Sequence, residues 1–118
     1  MSKTTDPIDW EALLKLTSNK PDLAKELLGL FAAELPTLRD AINTAFQQGN
    51  LDELSDHVHK LHGSCCYTGV PRLKNLTQQL EELVKAKNNK AIKKTLNQIN
   101  AEIERVLTAI RDQPDGNS

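Results

Sequence analysis

Apolar residues recur at helical spacing in four long segments and one short one, separated by brief polar or glycine-containing breaks. The short segment spans Asp9 to Leu16, with Asp9 as N-cap and Trp10, Leu13 and Leu14 offered to a core. It is expected to lie across one end of the molecule. Pro21 and Asp22 suit the first turn of the next helix, whose stripe reads Leu23, Leu27, Phe31, Leu35, Leu38, Ile42 and Phe46. Pro36 falls inside that stripe, and because the pattern continues past it, the proline should bend the helix without ending it. Gln48-Gly49-Asn50 closes the segment.

Asn50 and Glu53 have the spacing of a capping box for a third helix, with Leu51, Leu54, Val58, Leu61 and Cys65 inward and a stop near Gly69. Pro71 opens the fourth, with Leu73, Leu76, Leu80, Leu83 and Val84 inward until Lys87-Asn88-Asn89 breaks it. The fifth carries Ile92, Leu96, Ile99, Ile103, Val106 and Ile110 in an unbroken rhythm of fours and threes. Short connections between long amphipathic helices make antiparallel neighbours. The fold class is therefore all-α: an up-down antiparallel four-helix bundle with a short additional N-terminal helix. Residues 1–7 read as an arm, 8–112 as the bundle domain and Gln113 to Ser118 as a loose tail.

Composition narrows the function. A chain of 118 residues is one domain's worth, and a net charge of -1 from interspersed acids and bases favours neither nucleic acid nor an anionic membrane. No apolar run has the roughly 18 residues of a membrane span, and the first ten residues lack a signal peptide's apolar stretch. The expectation is a soluble cytoplasmic monomer with no direct membrane contact. The adjacent Cys65 and Cys66 are poorly placed to bond each other and read as a small core residue and a flank residue in a reducing compartment.

The histidines, His57, His59 and His62, all fall on the third helix. With the buried stripe centred near Val58 and Cys65 and about 100° per residue, His59 points about 120° from the core, Gly63 about 160° and Lys60 about 140° to the other side. Asp56 points straight outward. His62 and Cys66 lie on the flank nearer the fourth helix or its neighbour, and His57 on the opposite flank. A mid-helix glycine costs roughly 1 kcal/mol against alanine, so something other than stability favours Gly63. One turn from His59, it leaves an empty spot through which another protein could approach the ring. An exposed imidazole is largely neutral at physiological pH, and a neutral ring nitrogen is a competent nucleophile towards phosphorus. Lys60, Arg72 and Lys74 could offset the charge of a phosphorylated ring. The docking face is expected around Asp56, Lys60, Gly63 and Arg72 with nearby residues of the fourth helix. Ser64 could satisfy its own helix backbone.

The run His59-Lys60-Leu61-His62-Gly63-Ser64, followed by Gly69, is similar to the H-x-L-K-G-S signature of histidine-containing phosphotransfer (HPt) domains. The longer stretch HKLHGSCCYTGVPRLKNL, with IDW at Ile8 to Trp10 and KPDLAKELL at Lys20 to Leu28, resembles the C-terminal HPt domain of BarA/GacS-type hybrid sensor kinases, itself part of an inner-membrane protein. The resemblance runs from about Ile8 to Val84; the last helix matches in pattern only.

It implies that His59 accepts a phosphoryl group from a receiver-domain aspartate of a hybrid sensor kinase and passes it to the aspartate of a response regulator. The magnesium ion would come from the receiver, so the module itself needs no cofactor and is no autonomous kinase. The sequence departs from the common pattern at His62, where the lysine usually stands. The glutamine with which some HPt domains orient the imidazole falls near Glu81, leaving Gln78, Gln79 and Glu81 as candidates. Two other readings stand beside the carrier: a helical adaptor that works without phosphorylation, and a metal bundle using His59 and His62. The buried stripes supply no glutamate ligands for the latter.

Overall fold

The computed structural model describes residues 7–112; the expectations for the remainder of the N-terminal arm and for the tail from Gln113 lie outside them. The described residues form α1 (Trp10–Leu16), α2 (Pro21–Gln47), α3 (Leu51–Cys65), α4 (Pro71–Lys85) and α5 (Asn89–Arg111). Each boundary has a chemical cause. Asp9 accepts a hydrogen bond from the Ala12 N–H at 3.1 Å, Asn50 from Glu53 at 3.1 Å and Asn88 from Ala91 at 3.2 Å, so α1, α3 and α5 each begin on a side-chain cap. Pro21 and Pro71 start α2 and α4, where the missing N–H has no helical partner to lose. Breaks fall at left-handed residues: Ser18 and Asn19 after α1, Gly49 after α2 and Lys87 after α4.

Consecutive long helices pack side by side, and α2 closes the ring against α5. With connections of three residues (48–50 and 86–88) and five (66–70), this is the antiparallel four-helix arrangement the pattern predicts. Pro36 lies inside α2, which runs on without interruption. An internal proline costs about 3 kcal/mol. The flanking Leu35, Leu38 and Ile42 are almost completely buried, at roughly 1.5–3 kcal/mol each, so packing outweighs the break.

The core stripes of α3, α4 and α5 hold, with Leu51, Leu83 and Ile110 only partly covered. The stripe of α2 is corrected at both ends. Ala24, Leu28 and Ala45 are buried where Leu23, Leu27 and Phe46 were expected, while Leu23 remains 40% exposed. Phe46 still packs, partly buried, against the core, and Leu23 is the expected core residue that is turned out.

Regular α3 ends at Cys65, four residues before the expected stop, and a turn carries the chain to Gly69. There φ is +63°, and an added Cβ would lie 2.9 Å from the Asp9 carbonyl oxygen and 3.0 Å from Leu13 Cβ. The Asp9 N–H donates to the Gly69 carbonyl at 2.7 Å, which anchors α1 to the α3–α4 turn at one end of the bundle. Polar pairs fix the helix registers. Asn43 and Asn100 exchange amide hydrogen bonds at 3.0 and 3.1 Å between α2 and α5, and Arg39 pairs with Glu104 across the same seam. Glu102 of α5, only 2% exposed, is held by Arg72 of α4 at 3.2 Å and Arg105 at 2.8 Å.

Candidate functional site

The surface of α3 follows from its capped start and apolar seam. With Val58, Leu61 and Cys65 buried, His59 must turn outward, and its side chain is 79% exposed. Asp56 and Lys60 are also exposed, while His57 is half-buried on the flank away from α4. Nothing lies within 4 Å of the position a Gly63 Cβ would take, so the open spot one turn from His59 is real.

The neighbour that touches His59 comes from α4. Glu81 Oε2 lies 2.8 Å from His59 Nδ1, and Glu81 itself is only 20% exposed, so a largely buried carboxylate meets a largely exposed ring. A carboxylate only accepts, so Nδ1 carries the hydrogen in a neutral ring, and the lone pair is left on Nε2 at the ring's far edge. Of the candidates Gln78, Gln79 and Glu81 that the sequence left open, Glu81 is the one in contact with the ring, while Gln78 and Gln79 are exposed on α4. The other oxygen of Glu81 lies 3.7 Å from His62 Nδ1, within ion-pair range but too long for a hydrogen bond. His62 is mostly covered, and its Nε2 is buried without a partner among the described residues.

Two expected charge partners lie elsewhere. Arg72 pairs with Glu102, and Lys74 borders a cavity of about 360 Å³ beside α1, together with Asp9, Lys15 and Cys66. The reason is the antiparallel pairing of α3 and α4. The residue opposite His59 is Glu81, seven positions beyond Lys74, or about 10 Å along the axis. Of the expected cations, Lys60 alone shares the outward face of α3 with His59. Ser64 also differs from expectation, since its hydroxyl donates to Glu34 Oε1 of α2 at 3.2 Å. Glu34 and Glu102 had no local spacing signal that could have announced these contacts.

Cys65 is buried, and burial first, then the neighbouring Cys66, pushes its thiol up to about 12 despite the opposing pull of Lys74. That is a packing residue's environment. Among the described residues no group of three or more His, Cys, Asp or Glu side chains is placed to hold a metal ion, and no helix is long and apolar enough to cross a membrane.

The family model of the Hpt domain matches residues 26–109, a span that contains the whole His59 site. The chain belongs to the Hpt domain family. Over 79 residues, 67% of its length, this Hpt domain is 39% identical to the signal transduction histidine-protein kinase BarA of Shigella flexneri, of which it covers 9%. Over 104 residues, 88% of its length, it is 34% identical to the sensor protein GacS of Pseudomonas syringae pv. syringae, covering 11% of that protein. The chain spans about a tenth of the length of these curated relatives.

Its structure is similar to the HPT domain of an Hpt sensor hybrid histidine kinase from Shewanella, with a TM-score of 0.81, 28% identity, and coverage of 89% of this chain and 91% of that one. A histidine-containing phosphotransfer protein from rice, at 19% identity and a TM-score of 0.74, shares the fold. Membership places this Hpt domain in two-component phosphorelay signalling, and its helical bundle is the family's.

Proposed function

We propose that this Hpt domain is a phosphohistidine carrier with His59 as its phosphorylated residue, taking the phosphoryl group from a receiver aspartate and giving it to the aspartate of a response regulator. The observation that carries the reading is the state of the His59 ring: outward, 79% exposed, held through Nδ1 by Glu81 and flanked by the open Gly63 position.

The Nε2 lone pair forms the N–P bond as the P–O bond to the donor aspartate breaks, its electron pair returning to the donor carboxylate. The hydrogen on Nδ1 stays in place, so the ring takes up positive charge that the Glu81 carboxylate offsets. Transfer onward reverses these events with a second aspartate. Neither direction needs a general base. The acidic pocket and magnesium ion are the receiver's to supply, and the domain supplies nucleophile, orientation and surface. It acts as an intermediate and not as a kinase.

Incubation with a phosphorylated receiver tests the reading. The expected product is an acid-labile, alkali-stable phosphate on the wild-type domain that His59→Gln abolishes while helical content is unchanged, because an outward ring contributes little packing. Labelling that persists in His59→Gln, or is lost instead in His57→Gln, removes the assignment. Binding without labelling would favour an adaptor.

A further inference from the structure

Charge is not spread evenly along the chain. Residues 83–101, which run from the end of α4 through the turn into α5, hold Lys85, Lys87, Lys90, Lys93 and Lys94 and no acidic side chain, leaving ten basic against sixteen acidic side chains in the rest of the sequence. The near-neutral total hides this separation, and with it falls the reason for expecting no membrane contact. All five lysines are exposed, and among the described residues none forms an ion pair. The fold gathers them. Three residues join α4 to α5, and Lys94 lies only about 6 Å beyond Lys90 along the α5 axis, so the lysines crowd one tip of the bundle.

Local stability argues against this arrangement. Lys87 occupies the left-handed position after α4, at φ +56°, where glycine or asparagine is the usual choice. Lys90 sits in the first turn of α5, against the positive end of the helix dipole, whereas α1, α2 and α3 each place an acid in that turn. Lys90 also stands at i, i+3 and i, i+4 to Lys93 and Lys94, spacings at which like charges repel. Three local rules are broken in favour of one charge, and such breaches mark function.

The chemistry of the patch selects its partner. All five cations are lysines, compact charges on flexible stems, with none of the arginine forks that recognise a particular carboxylate or phosphate. Residues 83–101 contain no aromatic side chain to stack on a base and expose no large apolar one, whereas protein interfaces are depleted in lysine and centred on apolar or aromatic anchors. Diffuse positive charge without an anchor suits a diffuse negative plane. The acids at the same end, Asp52 and Glu53, open α3, which does not touch α5 across the bundle.

We infer that the lysine tip at the α4–α5 turn binds the anionic headgroups of a phospholipid bilayer, holding the domain on the membrane surface by electrostatics alone. The inference does not depend on the carrier reading. His59 lies about 12 Å along α3 from its start at this end, with its ring exposed on the side of the bundle, so a docked domain keeps the ring open.

Co-sedimentation of the 118-residue chain with vesicles tests it, using phosphatidylcholine alone and phosphatidylcholine mixed with phosphatidylglycerol, at low and high salt. The wild type is expected to sediment with the mixed vesicles at low salt only, because exposed charges are screened as salt rises. Lys90→Glu/Lys94→Glu should lose more than about tenfold in binding, at about fivefold per lysine removed, while melting no lower than wild type, since an acid replaces a cation in the first turn of α5. Lys87→Gly should lose about fivefold and melt higher. Lys20→Glu/Lys25→Glu, which changes the net charge equally at the start of α2, should retain most of its binding. No binding to the mixed vesicles, binding that high salt leaves intact, or equal losses in the two double variants would overturn the inference. So would a slower transfer from a phosphorylated receiver in Lys90→Glu/Lys94→Glu, or a DNA gel shift, without vesicle binding, since the patch would then serve an acidic protein or a nucleic acid.

Discussion

Replacing Gly63 with alanine should make the domain more stable and its transfer slower. Gly63 lies inside α3, two residues from its last helical position, in helical conformation, and the added methyl meets no atom within 4 Å. The folded state therefore carries no steric penalty, and alanine's helix propensity contributes up to about 1 kcal/mol. For a domain of this size that raises the melting midpoint by roughly 4–6 °C. Gly69→Ala is the control of opposite sign. At φ +63°, with Asp9 O at 2.9 Å and Leu13 Cβ at 3.0 Å, alanine there meets both backbone strain and collision, and the α1 anchor should loosen.

Transfer from a phosphorylated receiver should fall mildly for Gly63→Ala and severely for Gly63→Leu or Gly63→Glu, as each added atom fills the space a partner needs beside His59. Thermal melts beside transfer rates, on the same preparations, read both effects. Lower stability in Gly63→Ala and Gly63→Leu alike, with unchanged transfer by the folded fraction, would refute the reasoning.

Two further outcomes follow from side-chain environments. The nitrogen NMR spectrum of His59 should report the Nδ1–H form in the wild type and in Glu81→Gln, whose amide oxygen can still accept, but a tautomer mixture and slower transfer in Glu81→Leu; an Nε2–H ring in the wild type would contradict the assigned geometry. Alkylation with iodoacetamide near pH 8 should modify half-buried Cys66 well before Cys65, whose thiol burial raises to about 12, and peptide mapping showing Cys65 modified first would contradict that environment. Because the folded value lies above the ordinary 9.0, the stability that Cys65 contributes is complete below about pH 9 and is lost as pH rises towards 12.

How much the sequence disclosed depended on whether a feature was local. In α5, Ile92, Leu96, Ile99, Ile103 and Val106 offered a periodic pattern without a competitor, and all are buried. At the start of α2, Leu23 with Leu27 and Ala24 with Leu28 satisfy the same helical period one residue apart. Hydrophobicity favours the leucines, whereas close helix approach favours the alanine, and only packing decides. The same ambiguity hid the exposure of Leu23, which its spacing had counted as core. His59 and Gly63 were legible because helical geometry fixes their direction once the seam is known. Glu81 could be narrowed but not chosen, since its meeting with His59 depends on the register of α3 against α4. Ser64 with Glu34 and Arg72 with Glu102 are separated by 30 residues each, beyond any spacing rule, and pair only once the bundle closes.

The outward His59 ring and its bare neighbour Gly63 share one face of α3, and for the proposed carrier that arrangement sets a tempo. Two receivers cannot occupy the same face, so the second must wait for the first to depart. With association at about 10⁶ M⁻¹ s⁻¹, a complex held at nanomolar strength would release its partner about once in a thousand seconds, one held at micromolar strength about once a second. A carrier with one doorway therefore passes its cargo quickly only if each visitor is gripped weakly, so variants of the proposed His59 carrier that bind a receiver more tightly should turn over more slowly.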